Sequence, residues 1–482
     1  MNPERQLREA CGCRIVIVGG GFTGAMMSVQ LLRRADPEVS IVLVERTSLL
    51  GRGVAYGTQF DGHLLNVRAK NMSAYPDDPD HFVNWAKQNY SSSVRPSHFL
   101  PRPAYGRYIA SQLWEAAQSH AGKIRFVQDE ALSLTRVSGV NKILLAGGQT
   151  IVADKVVLAL GNFAPGDLRL PGKAPDSCRH VANPWSGTTR FDTSPDSSVL
   201  LVGSGLTAVD TAIELRARGF EGTIHILSRR GLLPQSHRIA APFPAFWNCR
   251  SPRTVRGLLQ LIRQQAKVAQ TQGSDWRAVI DSLRPVTQEI WRTLPRTEQQ
   301  RFLRHLRTYW DVHRHRIAGR VAEQLARQLR SGKIQRHAGR ITDYRENAGG
   351  VEVTYRDRKS GMLANLCVGR VINCTGPESD YRRAGSPLLT DLIEKGLARP
   401  DGLSLGVDVA DDGALVDAQG MPSDFLYALG PLRKGVLWES IAVPELRVQI
   451  SNLAKLLSAS CAMEDSCAEA GTRTEISAAL YH

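Results

Sequence analysis

"CRIVIVGGGFTGAMM", residues 13–27, decides the fold. The apolar run "RIVIVGG" has the composition of a buried strand, breaks into Gly19-x-Gly21-x-x-Gly24, and continues as a helix through about Arg34. A second apolar strand, "VSIVLVER" (residues 39–46), ends at Glu45, 21 positions after Gly24. Each part has a physical task. Gly19 permits the tight turn, Gly21 lets backbone approach a pyrophosphate, Gly24 lets helix pack on strand, and Glu45 stands where an acid meets a ribose hydroxyl. A plain strand-to-helix turn would ask for the glycines without the acid.

The same plan returns in "SVLLVGSGLTAVDTAIEL", residues 198–215. Gly203-x-Gly205-x-x-Ala208 opens a helix, and "TIHILSRRG" (residues 223–231) supplies its second strand. Between the two units runs "IRFVQDEALSLTRVSGVNKILLAGGQTIVADKVVLALGN" (residues 124–162), short alternating strands closing at Gly161. After the second unit, "IQRHAGRITDYRENAGGVEVTYRDR" again alternates, and "RVINCTG" closes at Gly376. Two such sites imply two dinucleotides and electrons passing between them. The ribose positions differ: Glu45 would repel a 2'-phosphate, whereas Ser228, Arg229 and Arg230 suit the extra phosphate of NADP, unless the two arginines are simply exposed at a strand end.

These elements predict an α/β chain with two Rossmann-like dinucleotide-binding domains and a helical insertion. At 482 residues the chain exceeds one ordinary core. We divide it into a first part at 1–165, a second domain at 196–365 with its insertion at about 250–330, a return to the first domain at 366–457, and a loosely held tail at 458–482. "TVRGLLQLIRQQAKVAQ" and "IAGRVAEQLARQLRS" carry the helical periodicity of that insertion, which would form a lid. No apolar run reaches the ~18 residues of a membrane span, and "MNPERQLREACG" has no signal-peptide core, so a cytoplasmic protein is expected. The eight cysteines hold no C-x-x-C; the closest pair is Cys11 and Cys13, and reduced structural thiols are expected. A formal charge of +15, much of it Arg between Arg229 and Arg345, reads as a solvated basic face without a nucleic-acid partner. His313 and His315 in "YWDVHRHR" lack a third ligand, so no metal is expected; with Arg314 and Arg316 they suit an anionic substrate or a phosphate.

The chain resembles the two-dinucleotide flavoproteins, more narrowly the YdhS-like FAD/NAD(P)-binding proteins. Four regions carry the resemblance: "GRGVAYGT" with "HLLNVRAKNMSAYPDDPDHFVNWA"; "FLPRPAYGRYI"; "WRAVIDSLRP" with "RFLRHLRTYWDVHRHR"; and "FLYALGPLRKGVLWESIAVPELRVQI". Together they span about residues 14–455. The resemblance implies FAD at the first site, held by Gly19, Gly21, Phe22, Thr23, Gly24, Glu45, Arg46 and Gly161, and NADPH at the second, held by Gly203, Gly205, Ser228, Arg229, Arg230 and Gly376. Relatives usually carry proline where Arg68 stands. Asn66 and Asn71 could hydrogen-bond the flavin ring or a hydroperoxide. Gly430, Trp438 and Glu439 precede a helix starting near Ala442, whose N-terminus would stabilise a reduced flavin.

Such relatives are similar to class B flavin monooxygenases, some acting as N-oxygenases of amino acids. The expected reaction is therefore an NADPH-consuming monooxygenation of a small-molecule amine or amino acid by molecular oxygen, through a flavin C4a-hydroperoxide. It needs no protein nucleophile, and no G-x-S-x-G elbow exists. An NAD(P)H-dependent reductase serving a small organic acceptor is the alternative; the missing C-x-x-C disfavours a disulfide reductase.

Overall fold

The computed structural model describes residues 12–34, 36, 39–168, 170, 177–186 and 197–479, with side chains described through residue 462. Cys11 lies outside the described residues. Strand β1 (Arg14–Val18) leads through the glycine turn into α1 (Phe22–Leu32), every residue of which is buried. Strand β2 (Ser40–Glu45) runs parallel to β1, Ile17 opposite Leu43. Parallel strands are covered on both faces, which is why these segments read as unbroken apolar runs. Three helices follow, α2 (Gly53–Tyr56), α3 (His81–Asn89) and α4 (Arg102–Ser119), and then β3 (Ile124–Gln128), which pairs with β2. A three-stranded meander of β4 (Ala131–Val137), β5 (Val140–Leu145) and β6 (Thr150–Ala153) precedes β7 (Lys155–Leu158), which lies on the other side of β1.

The second unit repeats this order with β8 (His180–Val181), β9 (Val199–Val202), α5 (Leu206–Ala217) and β10 (Ile224–Ser228). Six helices come next: α6 (Val255–Thr271), α7 (Trp276–Ser282), α8 (Thr287–Thr293), α9 (Arg296–His305), α10 (Arg307–Arg314) and α11 (Gly319–Arg330). The sheet is completed by β11 (Ile334–Asn347), β12 (Gly350–Asp357), β13 (Leu363–Val368) and β14 (Arg370–Asn373), in the order β13-β12-β11-β10-β9-β14-β8. Helix α11 is the crossover between parallel β10 and β11, since its Val321 and Leu325 share a core with Ile224 and Ile334. The helical insertion is thus α6–α10 and stops short of residue 330. Strand β14 pairs with β9, so residues 370–373 stay with the second sheet and the chain crosses back after them.

After that crossing come α12 (Pro387–Glu394), β15 (Ala414–Val416), β16 (Pro422–Ala428) and α13 (Val443–Ala479). Strand β16 pairs with β7, Leu426 opposite Val156, completing a six-stranded sheet of order β15-β16-β7-β1-β2-β3. The second unit is therefore an insertion into the first. Its outgoing linker is hydrogen-bonded to the returning chain: Glu378 N–H donates to the Ala164 carbonyl at 3.1 Å, and the Asn373 amide, at the end of β14, donates to the Gly166 carbonyl at 2.9 Å.

The tail expected to be loose from about Ser458 begins instead inside α13. Leu446, Ile450, Leu453 and Leu457 bury in one core with Met26, Met27 and Val29 of α1. Cys461 forms a disulfide with Cys13, correcting the expectation of reduced thiols; 448 residues separate the two, so no local spacing could announce the pair. Among the described residues no helix is long and apolar enough to cross a membrane.

The floor of the first unit is aromatic. The fully buried Phe82 ring lies 4.9 Å from Tyr105 and 5.0 Å from Tyr108. Replacing Phe82 by Ala should cost about 3–5 kcal/mol in urea unfolding, and a loss below about 1 kcal/mol would contradict this packing.

Candidate functional site

The first glycine turn is built by backbone contact. Gly19 has φ +105, and a Cβ there would collide with the Ala159 carbonyl; one on Gly24 would collide with the Gly19 carbonyl oxygen. Glu45 closes the turn: one carboxylate oxygen accepts from Gly20 N–H at 2.7 Å, the other from Thr47 N–H and Thr47 Oγ1, each at 3.0 Å. Oε2, which accepts only from Gly20, keeps a lone pair for a ribose hydroxyl, whereas Oε1 is filled by its two bonds from Thr47. Thr23, in the first turn of α1, stands beside Gly430, where a Cβ would lie 3.4 Å from Thr23 Oγ1. The Phe22 ring stacks on Tyr105 at 6.2 Å. Arg46 is exposed past the end of β2. Gly161, φ +68, has no atom within 4 Å of its Cβ position and leaves the backbone after β7 open to a ligand.

The second turn repeats the contact, because a Cβ on Gly203 (φ +113) would collide with the Cys374 carbonyl just after β14. Gly205 has no atom within 4 Å of its Cβ position, the space a pyrophosphate needs at a helix N-terminus. Ser228 is committed to the turn. Ser204 Oγ lies 2.7 Å from Ser228 Oγ and 2.6 Å from the Leu232 carbonyl. A carbonyl only accepts, so the Ser204 hydrogen goes to Leu232 and the Ser228 hydrogen goes to Ser204. Ser228 Oγ in turn accepts from Gly231 N–H at 3.0 Å, leaving no hydrogen for a ligand. Arg229 is exposed, and the Arg230 guanidinium lies 4.7 Å over the Tyr309 ring of α10.

Between the two units opens a cleft of about 780 Å³. It gathers Asn66, Asn71, Gly203, Gly205, Gly376, Trp438 and Glu439 on one surface. Gly19, Gly21, Gly24, Glu45 and Gly430 lie outside its walls, as do Ser228, Arg229 and Arg230. Arg68 lines it, donating to the Arg238 carbonyl at 3.1 Å. The His237 Nε2–H donates to the Asn66 carbonyl at 2.9 Å; burial, then the nearby Arg316, pushes this ring down to about 4, so it is neutral.

Sequence reasoning missed the polar tie across the cleft. Arg102, opening α4, pairs with Asp210 of α5 at 2.7 Å. His63, 1% exposed, lies 3.5 Å from Glu214, one turn beyond Asp210 on α5. Both partners sit within quoted motifs, yet no spacing joins residue 102 to residue 210. The cleft holds one cysteine, Cys374, whose thiol is pushed up to about 12 by burial.

The insertion docks on the segment after Gly430. Trp291 Nε1–H donates to the Gly435 carbonyl at 2.8 Å, and Arg284 binds Glu445 at 2.8 and 3.0 Å. Trp438 stacks on Trp291 with ring centroids 4.9 Å apart. Glu439 has φ +69, a region a non-glycine residue rarely adopts, and its side chain is buried. Burial alone would raise its carboxyl. The His315 ring at 3.4 Å, the Arg314 guanidinium at 3.8 Å and the Trp310 N–H at 2.7 Å outweigh burial and hold it well below the usual carboxylate range. His315 and Arg314 thus face Glu439; His313 instead packs edge-on against Trp276 at 4.6 Å. Arg316 pairs with Asp281. Among the described residues no cluster of side chains suits a metal ion.

Residues 16–163 match the family described as FAD-NAD(P)-binding. No curated protein matches the chain. Among solved structures the chain is similar to the reduced form of ornithine hydroxylase from Pseudomonas aeruginosa, at 18% identity and a TM-score of 0.62 over 94% of this chain and 100% of that one. L-lysine 6-monooxygenase from Pseudomonas syringae is similar at 16% identity and 0.62, over 92% and 99%. Thioredoxin reductase from Lactococcus lactis is similar at 12% identity and 0.53, over 94% and 99%. The chain therefore has the two-dinucleotide flavoprotein fold, with an FAD-NAD(P)-binding domain at its N-terminus.

Glu439→Gln should destabilise the protein by about 3–5 kcal/mol at pH 7, because Arg314 loses a buried counter-charge. A depressed folded-state value stabilises fully above the ordinary 4.5 and loses that stabilisation below it. The gap between wild type and variant should therefore shrink by roughly 2 kcal/mol at pH 3 in urea titrations, and an unchanged gap would contradict an ionised Glu439.

Proposed function

We propose that this protein is an FAD-dependent, NADPH-consuming monooxygenase that oxygenates a small-molecule amine or amino acid. The observation that carries the reading is the cleft onto which the second glycine turn opens, lined by Asn66 and Asn71, whose single cysteine is a buried thiol pushed up to about 12. Such a thiol is a poor electron carrier at neutral pH, so a dithiol relay of the kind a disulfide reductase uses has no chemical basis there. The similarity to an ornithine hydroxylase and an L-lysine 6-monooxygenase supports an amine as the reacting group.

The residues fit both dinucleotides. Glu45 and the first glycine turn would hold FAD, and Gly205, Arg229 and Arg230 would hold NADPH with its 2'-phosphate. Bound FAD supplies hydride acceptance and oxygen activation, chemistry no side chain offers. The protein's share is positioning. His237 fixes the loop that carries Asn66, the Arg102–Asp210 pair fastens α4 to α5 across the cleft, and α7 and α10 wall its far side.

The test is to follow NADPH and oxygen consumption by the FAD-loaded protein with a panel of amines and amino acids. Hydroxylated product in step with NADPH is expected. NADPH oxidation that proceeds equally under argon with a quinone, and without amine product, would replace this reading by a reductase. Substituting Arg229 and Arg230 together by Ala should weaken NADPH binding roughly 10- to 100-fold while leaving NADH nearly unchanged, as two charged hydrogen-bonding groups imply. Equal losses for both would remove the phosphate assignment.

A further inference from the structure

A second cavity, of about 560 Å³, lies among the helices of the insertion, with Phe246, Trp247 and Trp438 completing its wall. Five of the chain's eight tryptophans line it: Trp247, Trp276, Trp291, Trp310 and Trp438. Among the described residues its titratable lining groups are Arg263, Tyr309 and His313. Ligand pockets of this size and apolar character hold drug-sized molecules.

The cavity adjoins the cleft along three elements. Trp438 lines both spaces. Helix α7 gives Asp281 to the cleft and Ile280 to the cavity, and the loop after β10 gives Phe243 to the cleft and Phe246 to the cavity. Arg314 lines the cleft and, like Trp438, carries unmet hydrogen-bond donors near one unmet acceptor, Glu439 Oε2. Trp438 Nε1–H and the Nε and Nη2 of Arg314 are buried without hydrogen-bond partners, the two side chains being 4% and 8% exposed. The carboxylates nearest Arg314 stand at 3.8 and 3.9 Å, too far to accept its hydrogens. Buried donors of this kind call for an acceptor, and a guanidinium selects an anionic one.

We propose that the substrate is an amphiphilic amino acid whose carboxylate binds at Arg314 and Trp438 and whose long apolar side chain occupies the insertion cavity. Only the reactivity of its amine rests on the monooxygenase reading. The cavity defines chain length, and Trp438 stands where the polar head meets the apolar body.

The experiment measures binding of norleucine, 2-aminooctanoate and 2-aminodecanoate to the FAD-loaded protein without NADPH, by tryptophan fluorescence and calorimetry. Each added methylene should tighten binding about fourfold, the factor expected for burying one CH2. Equal affinity along the series would overturn the proposal. Nonylamine, which is 2-aminodecanoate without its carboxylate, should bind at least tenfold more weakly than 2-aminodecanoate; equal binding would overturn the carboxylate contact. Ala266→Trp, which fills the cavity from α6, should abolish the chain-length dependence while norleucine still binds. Persistence of that dependence in the folded variant would overturn the location, and if the variant fails to fold the wild-type series decides alone. Chain-length-dependent binding without any hydroxylated product would sink the reaction and leave the site standing; product formed with equal affinities would do the reverse.

Discussion

The structure depends on backbone pressing against backbone at places where one methyl group has no room. Gly19 lies against the Ala159 carbonyl just after β7, and Gly203 lies against the Cys374 carbonyl just after β14. In both units the turn that would receive a dinucleotide is wedged against the end of the neighbouring parallel strand. Gly24 adds the helix to the same contact. Side chains could not substitute for this, because a hydrogen atom at Cα is the only group small enough. The helix N-termini, and whatever anion they hold, are thereby fixed to the sheets rather than to mobile loops.

The sheets were legible because parallel strands bury both faces and so announce themselves as apolar runs. The paired glycine patterns, the acid at Glu45 and the apolar strand in "FLYALGP" follow from short-range sequence rules, whereas that strand's place beside β7 is a long-range pairing. The cleft's polar ties were not legible. Arg102 and Asp210, or His237 and the Asn66 carbonyl, meet only after the second unit folds back on the first, and neither separation has a periodicity to read. The same holds for Cys13 and Cys461. Helix α11 was grouped with the insertion because its amphipathic stripe looks like any other; only its position between β10 and β11 marks it as a crossover. Ser228 shows a subtler limit: its type suits a phosphate, but counting hydrogens assigns its proton to the loop.

The helical insertion joins two kinds of chemistry at one place. Its inner surface is tryptophan-rich and nearly free of charge, while its edge delivers Arg314 and His315 to a buried carboxylate. Glu439 sits at positive φ inside that cluster, so the chain accepts backbone strain and desolvation together to keep the charge there. The segment from Gly430 to Glu445 is consequently the meeting point of the first sheet, the insertion and the cleft.

The lashing of the outgoing linker to the returning chain, Glu378 to Ala164 and Asn373 to Gly166, has a mechanical corollary. Any movement of the second unit against the first would have to release, besides that seam, the Arg102–Asp210 pair and the insertion's contacts with Gly435 and Glu445.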